Sequence, residues 1–357
     1  MPELAEPLSE QAIELLTRLI KTPSYSREEA ATADLIFEFL RQHGAQPRRE
    51  LHNVWAVNRH FDAEKPTVLL NSHHDTVKPG TTWTYDPFGA VIEEDDKLIG
   101  LGSNDAGGCA VSLLATFLHF HERQDLPFNL ICAITAEEEI SGANGISHLL
   151  PKLGRLDLGI VGEPTQMDMA IAEKGLVVLD CTTHGQTGHA ARNEGENALY
   201  KALTDIQWLQ QYRFPQSSEL LGPVKMTVTQ IQAGTQHNVV PDTCRFVVDV
   251  RTNEFYSNEE VVRTVQEHLQ SEVVPRSVRL NSSRIDPDHV LVRKGVALGR
   301  KTYGSATMSD QALMPFPTVK MGPGDSARSH TPDEYIYLYE IRGGIKAYIE
   351  LLEGLQL

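Results

Sequence analysis

Two apolar rhythms alternate along this chain, and their order predicts its architecture. Near the N-terminus, "AIELLTRLI" places apolar residues at helical spacing, with Ser9 opening the pattern and Pro23 ending it. Ser26 and Glu29 have capping-box spacing and predict a helix starting in "EEAATADLIFEFLRQHG", with Gly44 as its stop. Two strand-like runs follow, "NVWAVNRH" and "TVLLNSHHD". After "GLGSNDAGG" the run "CAVSLLATFLHFHERQ" reads as a buried helix. A strand in "FNLICAITAEEE", a short helix in "ANGISHLLPKL" and a strand in "LDLGIVGEPT" come next. Strands alternating with helices at this spacing indicate an α/β domain with a mostly parallel central sheet flanked by helices.

From Lys174 the rhythm changes. "KGLVVLDCTTHG" alternates as a half-exposed strand, "NALYKALTDIQWLQQY" is amphipathic, and "KMTVTQIQAG" and "TCRFVVDVRT" are strands. "SNEEVVRTVQEHLQSEV" is a second helix opened by Ser257 or Asn258. A β-α-β-β-α-β order within roughly 110 residues predicts a ferredoxin-like α+β layer. The α/β pattern then returns and ends in one helix, "EYIYLYEIRGGIKAYIELLEGL". The economical reading is a discontinuous α/β domain, residues 1–173 and 286–357, interrupted by an inserted α+β domain at 174–285.

Composition changes this picture little. A chain of 357 residues suits two domains, and 41% hydrophobic with 22% charged residues describes an ordinary protein with a sizeable core. Lys and Arg total 32 against 48 Asp and Glu, a formal net charge of −16. That balance argues against nucleic acid or an anionic membrane as partner, since both require basic patches, and it is compatible with a cation site. Cys109, Cys132, Cys181 and Cys244 form no C-x-x-C pair and read as buried free thiols of a reducing compartment. "MPELAEPLSEQ" has neither the basic nor the apolar part of a signal peptide, and no apolar run approaches ~18 residues. The expected location is the cytoplasm.

The chemistry gathers where strands end. "SHHD", "ITAEEE" and "IVGEPT" each close a strand, and "GLGSND" precedes the buried helix. In an open α/β sheet the carboxyl ends of the strands share one edge, where ligands bind. His73, Asp105, Glu138, Glu139 and Glu163 would crowd together there, and crowded carboxylates repel unless a cation neutralises them. Imidazole and carboxylate without thiolate suit Zn, Co, Mn or Ni better than Mg or Ca. The acidic groups are too many for one catalytic zinc, and two metals sharing a bridging carboxylate would use them all. "GLGSNDAGG" lacks the spacing and the lysine of a phosphate-binding loop, and His119 and His121 stand in a helical run without such company.

With "HHD", "GSND", "AEEE", "GEPT", "GHAAR", "NVVPD…DVR" and "SHTPDE" in this order, nearly the whole chain resembles one family. This is the dinuclear-zinc amidohydrolases that include acetylornithine deacetylase, succinyl-diaminopimelate desuccinylase, aminoacylase and carboxypeptidase G. The resemblance implies that 1–173 and 286–357 are the catalytic metal-binding domain and 174–285 a lid and dimerisation domain. It implies two zinc ions, with cobalt or manganese as substitutes. His73 and Glu163 would hold one ion, Glu139 and His330 the other, with Asp105 bridging them and followed by a cis peptide. Asp75 would orient the His73 ring, and Glu138 would be the general base. His189, on the inserted domain, would reach the active site of the partner in a homodimer and stabilise the oxyanion, while Asn238 and Arg251 would hold the substrate carboxylate.

The chain departs from the family pattern at Gly107, where a lysine is common, and at Glu137, where "AEEE" replaces "DEE" and leaves the base and ligand assignments open to a shift of one position. His74 fills a variable slot. The implied activity is hydrolysis of the amide of a small-molecule N-acyl amino acid. N-acetyl- or N-succinyl-ornithine or citrulline, in arginine biosynthesis, is the first expectation. A succinyl-diaminopimelate desuccinylase, dipeptidase or carboxypeptidase is the alternative. An inactive binding or oligomerisation protein is the reading from another class; loss of a ligand position would have favoured it, and none is lost.

Overall fold

The computed structural model describes residues 5–357, so the first four residues of the acidic N-terminal stretch, read above as no signal peptide, lie outside it. The chain divides into two compact units. One comprises Met1–Ile171, Ile285–Tyr303 and Ser309–Leu357; the other comprises Ala172–Arg284 and Gly304–Met308.

The first unit is built on a mixed sheet. Its strands run in the order Arg48–Glu50, Asn53–Val57, Asn129–Thr135, Thr67–His73, Leu158–Val161, Thr318–Lys320, Met169–Glu173. The four strands from Asn129–Thr135 to Thr318–Lys320 are mutually parallel, and antiparallel pairs flank them on both sides. The expected parallel sheet is thus its centre. All seven residues of Thr67–His73 and of Asn129–Thr135 are buried, as strands covered on both faces must be. On one face lie helices Ala5–Ile20, Gly108–His121 and Leu338–Leu352, which pack together. On the other, Ile146, Leu149 and Leu153 of helix Ile146–Leu153 cluster with Trp55, Leu69 and Ile131. No helix among the described residues is long and apolar enough to cross a membrane.

Three local expectations give way. The first helix starts at Ala5, so Ser9 is interior; Pro7 sits in the opening turn, where its missing N–H costs nothing. Ser26 and Glu29 form no capping box: the helix is Ala30–Gln42, and its N-cap residue Glu29 makes no side-chain cap bond. "EYIY" is not helical either. Tyr335–Tyr337 is a strand paired antiparallel with Lys97–Ile99, and helix Leu338–Leu352 follows. Ile336 is fully buried between two partly exposed tyrosines, a period of two that suits aromatic and β-branched residues in a strand.

The second unit carries a four-stranded antiparallel sheet in the order Lys225–Ala233, Thr243–Thr252, Gly175–His184, Glu272–Pro275, with helices Ala198–Gln211 and Asn258–His268. This is the ferredoxin-like β-α-β-β-α-β arrangement. Val177, Leu179 and Cys181 alternate inward and meet Phe246, Val248, Ala202, Leu209, Val261 and Val265. Here local capping holds: Asn197 accepts the Leu199 N–H, and Ser257 with Glu260 closes a full capping box.

Candidate metal centre

The side chains that end the parallel strands converge within the first unit. Thr67–His73 delivers His73, which is buried, and the turn after Asn129–Thr135 delivers Glu138 and Glu139. Glu163 stands two residues beyond the end of Leu158–Val161. His73 Nε2 lies 3.3 Å from Asp105 Oδ1, 3.7 Å from Glu163 Oε1 and 3.8 Å from Glu138 Oε2. His330 Nε2 lies 3.0 Å from Glu139 Oε2 and 3.6 Å from Asp105 Oδ2. The two oxygens of Asp105 therefore face two different imidazoles, which is the arrangement of a bridging carboxylate. The Asp105–Ala106 peptide is cis.

Two overlapping sets of donor atoms, from His73, Asp105 and Glu139 and from His73, Glu138 and Glu163, each lie within 4.8 Å of one another. His73 Nε2 is buried and makes no hydrogen bond, although carboxylates surround it. Four carboxylates grouped with an orphaned buried imidazole nitrogen fit cation binding, and the charge balance agrees. Burial would lower the His73 imidazole, but Glu138, Asp105, Asp75 and Glu163 hold it well above its ordinary value. Burial raises the Glu138 and Glu163 carboxyls, opposed by His73. Burial works against ionised Asp105 as well, yet His73 beside it keeps its carboxyl below the usual range. The hydrogen bond to Glu139 pushes His330 up to about 9. Protons held this tightly occupy the place of positive charge that a divalent ion supplies.

Asp75 does more than face His73. Its backbone oxygen is 3.1 Å from His73 Nδ1, while its carboxylate accepts the Glu138 N–H (3.0 Å), the Glu139 N–H (3.2 Å) and the Ser26 hydroxyl (2.7 Å). Glu137 turns elsewhere: with φ of 57°, its carboxylate accepts the Asn144 N–H and the Asn144 side-chain amide at 2.8 Å. Glu138 and Glu139, not Glu137, face the cluster.

Gly107 also has a physical account. A Cβ there would lie 2.4 Å from the Gly102 oxygen and 2.6 Å from Leu16, so the backbone closes this position to lysine. Glu334 escaped the sequence reading although it stands in "SHTPDE". It is buried and accepts the Gly102, Asn104 and Asp105 N–H groups at 3.1, 2.9 and 2.9 Å, fixing the loop that presents Asp105. Burial and the Asp105 charge push its carboxyl up to about 8.

The remaining sequence candidates belong to the second unit. His189 is exposed, on a short ribbon where it pairs with Val239, and Asn238 accepts the Ala190 N–H, so His189 and Asn238 are neighbours. Arg251 already has a carboxylate: its guanidinium donates to Asp249 at 2.8 and 3.1 Å.

Residues 171–277 match the peptidase dimerisation domain of the M20 proteins. Over 392 aligned positions the chain is 26% identical to succinyl-diaminopimelate desuccinylase 2 of Ruegeria sp., covering 99% of this chain and 98% of that one. The succinyl-diaminopimelate desuccinylase of Cereibacter sphaeroides is 26% identical over 340 positions, covering 90% and 88%. The chain thus carries the dimerisation domain of the M20 peptidases and is similar to their desuccinylase members over its whole length. The M20 fold agrees across solved structures. Aminopeptidase PepT of Bacillus cereus superposes with a TM-score of 0.76 at 17% identity, covering 98% of this chain and 99% of that one. The M20 metallo-carboxypeptidase Sso-CP2 of Sulfolobus solfataricus gives 0.73 at 18%, covering 100% and 99%. The YXEP protein of Bacillus subtilis, described as a dinuclear metal-binding M20 peptidase, gives 0.75 at 17%, covering 97% and 98%. The protein is accordingly an enzyme, a metal-dependent amidohydrolase or peptidase of the dinuclear kind.

Proposed function

We propose that this enzyme hydrolyses the amide of an N-succinyl amino acid of the diaminopimelate type. The observation that carries the reading is full-length similarity to desuccinylases, joined to the donor cluster of His73, Asp105, Glu138, Glu139 and Glu163 with His330 beside it. N-acetyl- or N-succinyl-ornithine or citrulline, the first expectation, become the competing substrates, since the named relatives support the desuccinylase alternative better.

His73, Asp105 and Glu163 would hold one ion and Asp105, Glu139 and His330 the other, zinc by donor type with cobalt or manganese as substitutes. When bound, such ions polarise an acyl carbonyl and acidify water. Glu138 accepts the proton of the attacking water on its carboxylate and passes it to the leaving amine nitrogen as the acyl C–N bond breaks. Asp75 fixes the directions of the Glu138 and Glu139 backbone and of the His73 ring. His189 donates to the developing oxyanion, and Asn238 and Arg251 bind the substrate carboxylate, Arg251 by exchanging Asp249 for it. Cytoplasmic location fits the four buried free thiols.

A homodimer formed through the second unit is supported by the dimerisation-domain match and by the strand Lys225–Ala233. That strand lies at a sheet edge and is exposed along most of its length, Ile231 included. The substrate test is a panel of N-succinyl-diaminopimelate, N-succinylornithine, N-acetylornithine, N-acetylcitrulline and a dipeptide. N-succinyl-diaminopimelate is expected to give the highest kcat/KM; preference for an ornithine or citrulline compound would reverse the assignment. Metal analysis after zinc reconstitution is expected to find two ions per chain, fewer in His73→Ala and an unchanged number in Glu138→Ala. A single ion in the reconstituted wild type would contradict the dinuclear site.

A further inference from the structure

We propose that Ser26 and Glu29 form a positioning strap for the Glu138–Glu139 loop, in which the Ser26 hydroxyl sets the orientation of Asp75; this rests on the roles given to Glu138 and Glu139 above. The strap lies between the first two helices and runs beside the chain that leaves the His73 strand. Tyr25 bridges Thr76 in parallel, and the Thr76 N–H donates to the Ser24 oxygen at 2.9 Å. Ser26 then donates to Asp75 Oδ2 at 2.7 Å, the shortest of the three hydrogen bonds on that fully buried carboxylate. Glu29, also fully buried, accepts the Arg27 N–H at 2.6 Å and the Glu137 N–H at 3.2 Å on Oε1, while Oε2 lies 2.7 Å from His52 Nδ1.

The consequence is read along the loop. Three successive backbone N–H groups, those of Glu137, Glu138 and Glu139, end on carboxylates: the first on Glu29 and the other two on Asp75. Asp75 Oδ1 holds the Glu138 N–H, and Oδ2 holds the Glu139 N–H together with Ser26. Carboxylate torsions have broad, roughly two-fold preferences, so bonds and not rotamers decide how Asp75 sits. Without Ser26, Oδ2 keeps only the Glu139 N–H at 3.2 Å, and Asp75 can swing towards His73 Nδ1, 3.4 Å from Oδ1. Glu139 then loses its fixed direction before Glu138 does. A capping role for the same two residues is excluded by the absence of a side-chain cap bond at Glu29.

The test compares full-length Ser26→Ala and Ser26→Thr with wild type, titrating cobalt into the metal-free protein and following its visible spectrum. Loss of an outer partner bonded directly to a metal ligand typically costs about 10–100-fold in affinity, and Ser26, one contact further out through Asp75, stands at the lower end of that range. Ser26→Ala is expected to weaken one of the two cobalt sites by about tenfold and to leave the other within about twofold. It should lower kcat on the panel substrate at nearly constant KM; Ser26→Thr, which keeps the hydroxyl, should restore both. If Ser26→Ala does not fold, Ser26→Cys, similar in size with a weaker donor, should show the same pattern at smaller amplitude. Wild-type cobalt affinity at both sites in a folded Ser26→Ala protein would overturn the strap. If no panel substrate is cleaved while the cobalt spectrum still responds to Ser26, the substrate reading falls and the strap stands.

Discussion

Glu138→Gln is expected to lower kcat by ~10²–10⁴-fold while metal content and KM remain close to wild type. The amide matches the carboxylate in size but cannot take a proton from water. The loop itself should not move, because Glu138 is positioned through its backbone N–H by Asp75 and not through its side chain. Glu139→Gln is the control next door. Glu139 Oε2 lies 3.0 Å from His330 Nε2, so the amide removes charge from a ligand position and metal content should fall. Steady-state kinetics with metal analysis on both variants separates the roles. If Glu139→Gln keeps its metal and loses kcat while Glu138→Gln loses metal, base and ligand are exchanged.

Mixing inactive His189→Ala subunits with inactive Glu138→Ala subunits is expected to restore activity to roughly a quarter of wild type, by two-fold symmetry. His189 belongs to the second unit and the donor cluster to the first, and His189 is exposed on its ribbon. In the proposed homodimer each active site combines Glu138 of one chain with His189 of the other. At equal mixing and free exchange about half the dimers are hybrids, and each hybrid has one complete site of two. Activity measured after subunit exchange has been verified by mass decides the matter. Recovery no greater than that of the parent variants would assign His189 to its own chain's site or to none.

The fold class was legible because its signals are local. Fully apolar strand runs, amphipathic helices and the change to strict alternation at Gly175–His184 depend on residues a few positions apart. So does the Ser257–Glu260 capping box, which formed as its spacing predicts. The donor types at the strand ends were legible for a related reason: parallel strands put their carboxyl ends on one edge whatever the details of packing. The Arg251–Asp249 pair, two residues apart on one strand face, was also within reach of sequence reading.

What the tertiary structure alone decided concerns partners far away in the chain. Ser26–Glu29 has the same S-x-x-E signature as Ser257–Glu260, yet Ser26 bonds Asp75, 49 residues on, and Glu29 bonds Glu137, 108 residues on. The same short pattern serves two purposes, because a buried carboxylate with unmet acceptors outcompetes a solvent-exposed cap. Glu334 meets the Asp105 loop across some 230 residues, and no local pattern distinguishes it from a surface acid. The sense of Tyr335–Tyr337, strand and not helix, likewise came from pairing with Lys97–Ile99. Sequence by itself determined most of the strands and helices and the chemical types at the sheet edge. Only the fold decided which buried carboxylate holds which backbone N–H, since that choice follows from three-dimensional proximity and from the cost of leaving a buried polar group unpaired.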